Sequence, residues 1–183
     1  MKLSTREIAF VATGTALIVV CSWISLPMTI PVTLQTFAVC FVSALLGLKT
    51  GMWSVVSYIL LGALGVPVFS GFRGGPGVLL GVTGGYIAGF IFTALAVGFS
   101  ARRFGRSLPA LAASMTVGVL LCYAFGTAWF MAVYTRNGSA VTLGAALGMC
   151  VVPYLVPDAV KIILAAALVR RLQPVVSKEL VHS

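Results

Sequence analysis

The sequence predicts an all-α integral membrane protein with six transmembrane helices and both termini in the cytoplasm. Three observations carry the prediction. Hydrophobic residues make up 60% of the 183-residue chain and charged residues only 8%, where a soluble domain carries about 25% charged residues. The apolar residues fall into six long runs separated by short loops. The basic residues, twelve against three acids, concentrate in alternate loops, as short cytoplasmic segments do. The whole chain, residues 1–183, reads as one membrane domain.

The first run, Ile8 to Leu26, follows Lys2 and Arg6. A basic start also marks a secretory signal. This core is longer than the roughly 7–15 apolar residues of such a signal, and no small-residue cleavage site follows it, so a retained helix is expected. Residues 27–36, from Pro27 to Thr36, form a charge-free loop punctuated by Pro27 and Pro31. A second run reaches Leu48, Lys49-Thr50-Gly51 turns the chain, and a third run extends from Met52 to about Val66. Both are short against the roughly 20 residues of a spanning helix, so they are expected to begin inside the preceding loops.

A glycine-rich loop from Gly65 to Gly77 carries Arg73. Val78 to Phe99 is the fourth run, interrupted by Gly81, Gly84, Gly85 and Gly89. Arg102, Arg103 and Arg106 follow in a basic loop. Leu108 to Tyr134 is the fifth run, residues 136–139 (Arg136-Asn137-Gly138-Ser139) turn the chain, and the last run ends at Arg170.

Six crossings place Lys2, Arg6, Lys49, Arg102, Arg103, Arg106, Arg170, Arg171 and Lys178 in the cytoplasm. Arg73 and Arg136 fall outside and Lys161 within the membrane. Removing any one crossing scrambles this bias. The net charge of +9 therefore reports topology and not nucleic-acid binding, because the cations stand singly or in short groups between apolar runs.

The chemically distinctive stretch is Val156-Pro157-Asp158-Ala159-Val160-Lys161. Between Leu143 and Val169, Asp158 and Lys161 are the only charged side chains. A charge at the centre of a bilayer costs about 2.5–3.5 kcal/mol on insertion scales. Three residues apart, the two lie on one helical face and can pair. They form either a self-neutralising structural pair or a polar ligand site, and intramembrane charges read as functional by default.

Other chemistry is absent from the sequence. Cys21, Cys40, Cys122 and Cys150 lie in or at the ends of apolar runs with no metal-type spacing to the single His182. They read as packing residues. No nucleophile–base set and no phosphate loop of the Lys-Ser/Thr type occurs. The chain is expected to be no enzyme, to hold no metal or cofactor, and to hydrolyse no ATP itself.

Ala12 and Ala16 put small residues on one face of the first helix, and Gly81, Gly85 and Gly89 do so in the fourth. Both spacings permit close helix approach. For the alanines, packing within the chain and docking of an external partner remain open; for the glycines, packing within the chain is the expectation.

Four segments together resemble the BioY family, the biotin-specific S-components of energy-coupling-factor transporters. They are residues 31–37 (Pro31-Val-Thr-Leu-Gln-Thr-Phe37), 62–69 (Gly62-Ala-Leu-Gly-Val-Pro-Val-Phe69), 77–86 (Gly77-Val-Leu-Leu-Gly-Val-Thr-Gly-Gly-Tyr86) and 157–161 (Pro157-Asp-Ala-Val-Lys161). The resemblance covers nearly the whole chain. One departure is Val82, where the family pattern has proline. The resemblance implies high-affinity biotin binding and uptake across the cell membrane. It also implies docking, through Ala12 and Ala16, onto a transmembrane T-component that works with a pair of cytoplasmic ATPases.

The residues suit such a ligand. Asp158 can accept from the ureido N–H groups, and Lys161 can donate to the ureido carbonyl or hold Asp158 ionised. Tyr86 and Phe72 are expected to cover the apolar body, with Thr83, Gly84 and Gly85 of the same motif beside them. Arg73 either binds the valerate carboxylate or is a solvated loop charge. Gln35 and Thr33 either contact the ligand or serve the turn. The alternatives are an S-component for another vitamin, or a proton-coupled carrier. Such a carrier usually shows two related halves, and none are visible.

Overall fold

A computed structural model of the chain describes residues 4–28, 30–136, 138 and 141–181, and for residues 177–181 it describes the backbone. Lys2, Thr29, Asn137, Ser139, His182 and the side chain of Lys178 lie outside the described residues. Helix α1 (Thr5–Trp23) leads into a small antiparallel hairpin of β1 (Ser25–Leu26) and β2 (Val32–Thr33), in register Ser25 to Thr33. Then come α2 (Gln35–Ala63), the short α3 (Pro76–Leu80), α4 (Gly84–Arg103), α5 (Leu108–Arg136), α6 (Leu143–Cys150), a 3-10 turn (Val152–Tyr154) and α7 (Leu155–Val181).

Among the described residues, five stretches are long and apolar enough to cross a bilayer: Thr5–Trp23, Gln35–Ala63, Gly84–Arg103, Leu108–Arg136 and Leu143–Val176. Large apolar side chains such as Leu60, Leu95, Leu120, Ile163 and Leu164 point outward from them. In water so much exposed apolar surface would drive association; against lipid it is the expected exterior.

The start of α1 is fixed by a capping box, in which Glu7 N–H donates to Ser4 Oγ at 3.2 Å and Ser4 N–H to Glu7 Oε2 at 2.8 Å. The helix stops at Trp23, three residues short of the expected Leu26. Leu26 precedes Pro27, which disfavours helical backbone, and the freed residues pair in the hairpin.

Helix α2 contains the largest departure from a simple rod. Gly47 has φ 79 and ψ −178, backbone open essentially to glycine alone. A Cβ on Gly51 would lie 2.7 Å from Ser43 Cα, whereas eight residues of continuous helix separate atoms by about 12 Å. The chain therefore doubles back at Gly47. This corrects the turn expected at Lys49-Thr50-Gly51: those residues already belong to the second arm, and Thr50 and Gly51 are buried. Arg106 seals the reversal, donating from Nε to Ala44 O at 2.8 Å and from Nη2 to Leu45 O at 3.3 Å. These are carbonyls that the break deprives of helical donors. Lys49 bridges to Glu7 at 2.8 Å and ties the second arm to α1.

The fourth expected run, Val78 to Phe99, is also broken. Gly81 caps α3 with extended backbone, and α4 begins at Gly84. The helical glycine stripe thus consists of Gly85 and Gly89 without Gly81. It packs within the chain: a Cβ on Gly85 would meet the Trp129 side chain at 2.2 Å, and one on Gly89 the Cys122 Sγ at 2.8 Å. On α5, Gly118 and Gly126 receive Thr93 and the Tyr86 ring in return. Small residues on both helices let the backbones approach. The last expected run divides into α6 and α7 at the 3-10 turn, where Pro153 lacks the N–H a continuing helix needs.

Candidate functional site

At the hairpin end of the bundle a cavity of about 780 Å³, its open mouth included, lies between α2, α4, α5, α7 and the loops around Pro31 and Arg73. Its lining of aromatic and aliphatic side chains with a few convergent polar groups is that of a small-molecule site. Asp158 and Lys161 line it, 4% and 7% exposed. Lys161 Nζ donates to Asp158 Oδ1 at 2.6 Å, and Tyr123 OH donates to Oδ2 at 2.5 Å. Both carboxylate oxygens are held, so the acid keeps one orientation. A buried charge pair with remaining lone pairs facing a cavity can still accept from a ligand.

Helix geometry puts these groups together. Asp158 stands in the first turn of α7, where the exposed helix N–H groups favour a carboxylate, and Lys161 follows one turn later. Tyr123 comes from α5, whose close approach to α4 over glycine brings Tyr86 to the same chamber. Tyr86 and Thr127 share a hydrogen bond at 3.0 Å. Gln35, at the start of α2, donates from Nε2 to Tyr58 OH at 2.6 Å, and its own N–H donates to Thr33 Oγ1 at 3.1 Å. Arg73 sits at the mouth on a tight reversal in which Phe69 N–H donates to Arg73 O at 2.9 Å and Arg73 N–H to Phe69 O at 3.3 Å. Its Nε reaches Ser70 O at 3.4 Å.

Of the expected ligand residues, the structure gathers Asp158, Lys161, Arg73, Tyr86, Thr83 and Gln35 around this cavity, and Thr33 with them. Three lie elsewhere. Phe72 does not line it: with φ 57 it turns outward, 64% exposed, and stacks on Trp23 at 5.0 Å between ring centroids. Gly84 packs on the Leu79 backbone, where a Cβ would fall 1.7 Å from the carbonyl oxygen. Gly85 packs on the Trp129 side chain, so both glycines serve close packing.

Reading the sequence missed Phe69, Phe90, Tyr123 and Tyr154 as lining residues. Tyr154 donates its hydroxyl to Ile30 O, tying the α7 entrance to the hairpin loop. A tyrosine within a long apolar run was the available signal for Tyr123, since a buried hydroxyl seeks a partner. The apolar Phe69 and Phe90 carry no such mark. Ala12 and Ala16 face outward from α1, while Val11, Gly14, Thr15 and Ile18 form its buried face.

A family model described as the BioY family matches residues 1–178. The chain belongs to the BioY family. Among relatives in that family, the biotin transporter BioY of Thermotoga maritima is 38% identical over 169 residues, covering 92% of this chain and 96% of that one. The probable biotin transporter BioY of Pyrococcus horikoshii is 37% identical over 172 residues, covering 93% and 98%. A crystal structure of the S-component for biotin from an ECF-type ABC transporter superposes with a TM-score of 0.83 at 25% identity, covering 94% of this chain and 95% of that one.

Proposed function

We propose that this chain binds biotin in the cavity above Asp158 and Lys161 and carries it across the cell membrane as the S-component of an energy-coupling-factor transporter. It acts as a binding and transport subunit with no catalytic step of its own. The observation that carries the reading is the buried Lys161–Asp158–Tyr123 chain opening onto a small-molecule cavity. A cyclic urea needs an acceptor for N–H and a donor for its carbonyl, and this chain of groups offers both within a hydrogen bond of each other. Tyr86, Phe69 and Phe90 supply an apolar wall for the thiophane ring and valeryl chain. Arg73 at the mouth supplies a cation for the carboxylate, with Gln35 and Thr83 as polar neighbours.

The whole chain acts as a single domain. The two arms of α2, residues 35–46 and 48–63, measure about 18 and 24 Å at helical rise. Counting them as separate crossings makes six and puts both termini in the cytoplasm with the basic loops. A crossing of 30 Å of hydrocarbon then uses the adjoining loop residues. Ala12 and Ala16 on the exterior of α1 are the docking face for a T-component, which a pair of ATPases drives.

The test is purification in detergent from cells grown with biotin, identification of co-purified small molecules by mass spectrometry, and titration calorimetry. Stoichiometric biotin is expected. A different vitamin in the released fraction, with no response to biotin, overturns the assignment.

A further inference from the structure

A second cavity adjoins the first and no role described so far uses it. Its volume is about 530 Å³, its opening included, and it shares Pro31, Arg73, Val78 and Thr83 with the biotin chamber. Asp158 and Lys161 do not reach it. Arg73 therefore stands at the junction, and a ligand with its urea on Asp158 and its carboxylate on Arg73 points its tail into this second space. Beyond Arg73 and Thr83 the lining consists of the apolar Met28, Pro31, Val78 and Val82 and the glycines Gly77 and Gly81.

We propose that the second cavity is a subsite for N-alkyl amides of biotin, the amide carbonyl accepting from Arg73 and the alkyl group lying against Met28, Val78 and Val82. The inference rests on the ligand orientation proposed above. A carboxamide keeps an acceptor for the guanidinium. A neutral apolar extension, unlike a second charge, gains from leaving water for such a lining.

Gly77 provides the means to test this. It lies in α3, and a Cβ built on it meets no atom within 4 Å. Gly77 lines the cavity, so a larger side chain there adds bulk at its wall without a clash at its root.

The probes are biotin, its primary amide and its N-butyl amide, titrated calorimetrically into the purified full chain. The N-butyl amide is expected to bind about tenfold tighter than the primary amide, because its methylenes are buried. In Gly77→Leu that gain disappears while biotin affinity stays within about twofold, which also shows that the variant is folded. Val82→Phe, which enlarges a second lining residue, is expected to do the same.

Equal affinities of the two amides for the wild-type chain overturn the subsite while leaving biotin binding intact. Persistence of the gain in both variants overturns it as well, since the alkyl group then lies elsewhere. Failure of biotin itself to bind the wild-type chain removes the orientation on which the subsite depends, and the subsite with it.

Discussion

Tyr123 donates its hydroxyl to Asp158 Oδ2 at 2.5 Å, from the middle of a helix with no charged residue between Leu108 and Tyr134. The bond completes the ligation of a carboxylate whose other oxygen accepts from Lys161. Burying a charge is tolerable when it is paired and its remaining capacity is hydrogen-bonded. Here the second donor is neutral, so the buried trio of Asp158, Lys161 and Tyr123 holds one acid and one base with no excess charge.

Tyr123→Phe keeps the ring and removes the donor. Hydrogen bonds to charged groups contribute about 1.5–3 kcal/mol, so biotin affinity should fall about ten- to hundredfold while the chain still folds. Calorimetric titration checks this; unchanged affinity would mean that Lys161 alone orients Asp158.

Asp158→Asn and Lys161→Ala should each abolish tight biotin binding. Removing one partner strands the other charge in a dry site, at about 3–5 kcal/mol, so Lys161→Ala should also lower the melting temperature in detergent. The double variant Asp158→Asn with Lys161→Met removes both charges and should recover the melting temperature without recovering binding. Recovery of both would make the pair structural.

Arg73→Ala should weaken biotin by about tenfold or more, as loss of a charge-assisted contact does, and weaken the neutral biotin amide clearly less, since its carbonyl meets the guanidinium without a charge of its own. Equal losses for the two ligands would show that Arg73 acts only through the shape of its loop.

Ala12→Trp with Ala16→Trp enlarges two outward-facing positions of α1. Biotin binding by the isolated chain should survive, while co-purification with a T-component and biotin uptake fall together. Close helix approach in lipid depends on small residues. Normal co-purification of the double variant would move the docking surface to another helix.

Gly47→Ala places a side chain where φ is 79 and ψ is −178. That backbone region is essentially reserved for glycine, and occupying it costs about 1–3 kcal/mol. A lowered melting temperature with biotin stoichiometry intact is expected. An unchanged melting temperature would mean that the α2 reversal relaxes to accept alanine.

Hydrophobicity and charge placement are properties of composition and spacing, so the membrane class, the helical runs and the Asp158–Lys161 pair were legible in the sequence. A buried acid and base one turn apart need no tertiary information to be noticed. The carboxylate's second partner was hidden, because Tyr123 lies 35 residues away. Only the packing of α5 on α4 and α7 brings it there.

Backbone breaks were the least legible feature. The glycines Gly81, Gly84, Gly85 and Gly89 in the fourth run read as interruptions of one helix, yet Gly81 ends a helix and Gly85 lies inside the next. Their roles depend on Trp129, whose indole N–H donates to Gly81 O at 2.9 Å and whose side chain covers Gly85. Phe72 and Arg73 are neighbours in sequence, but the Trp23 stack turns one outward and leaves the other at the cavity mouth. Which residues avoid water, and which few cannot, follows from side-chain chemistry and is readable in the residues themselves. Tertiary structure decided which of those few meet around one cavity, since that depends on where glycines let helices close and where the chain reverses.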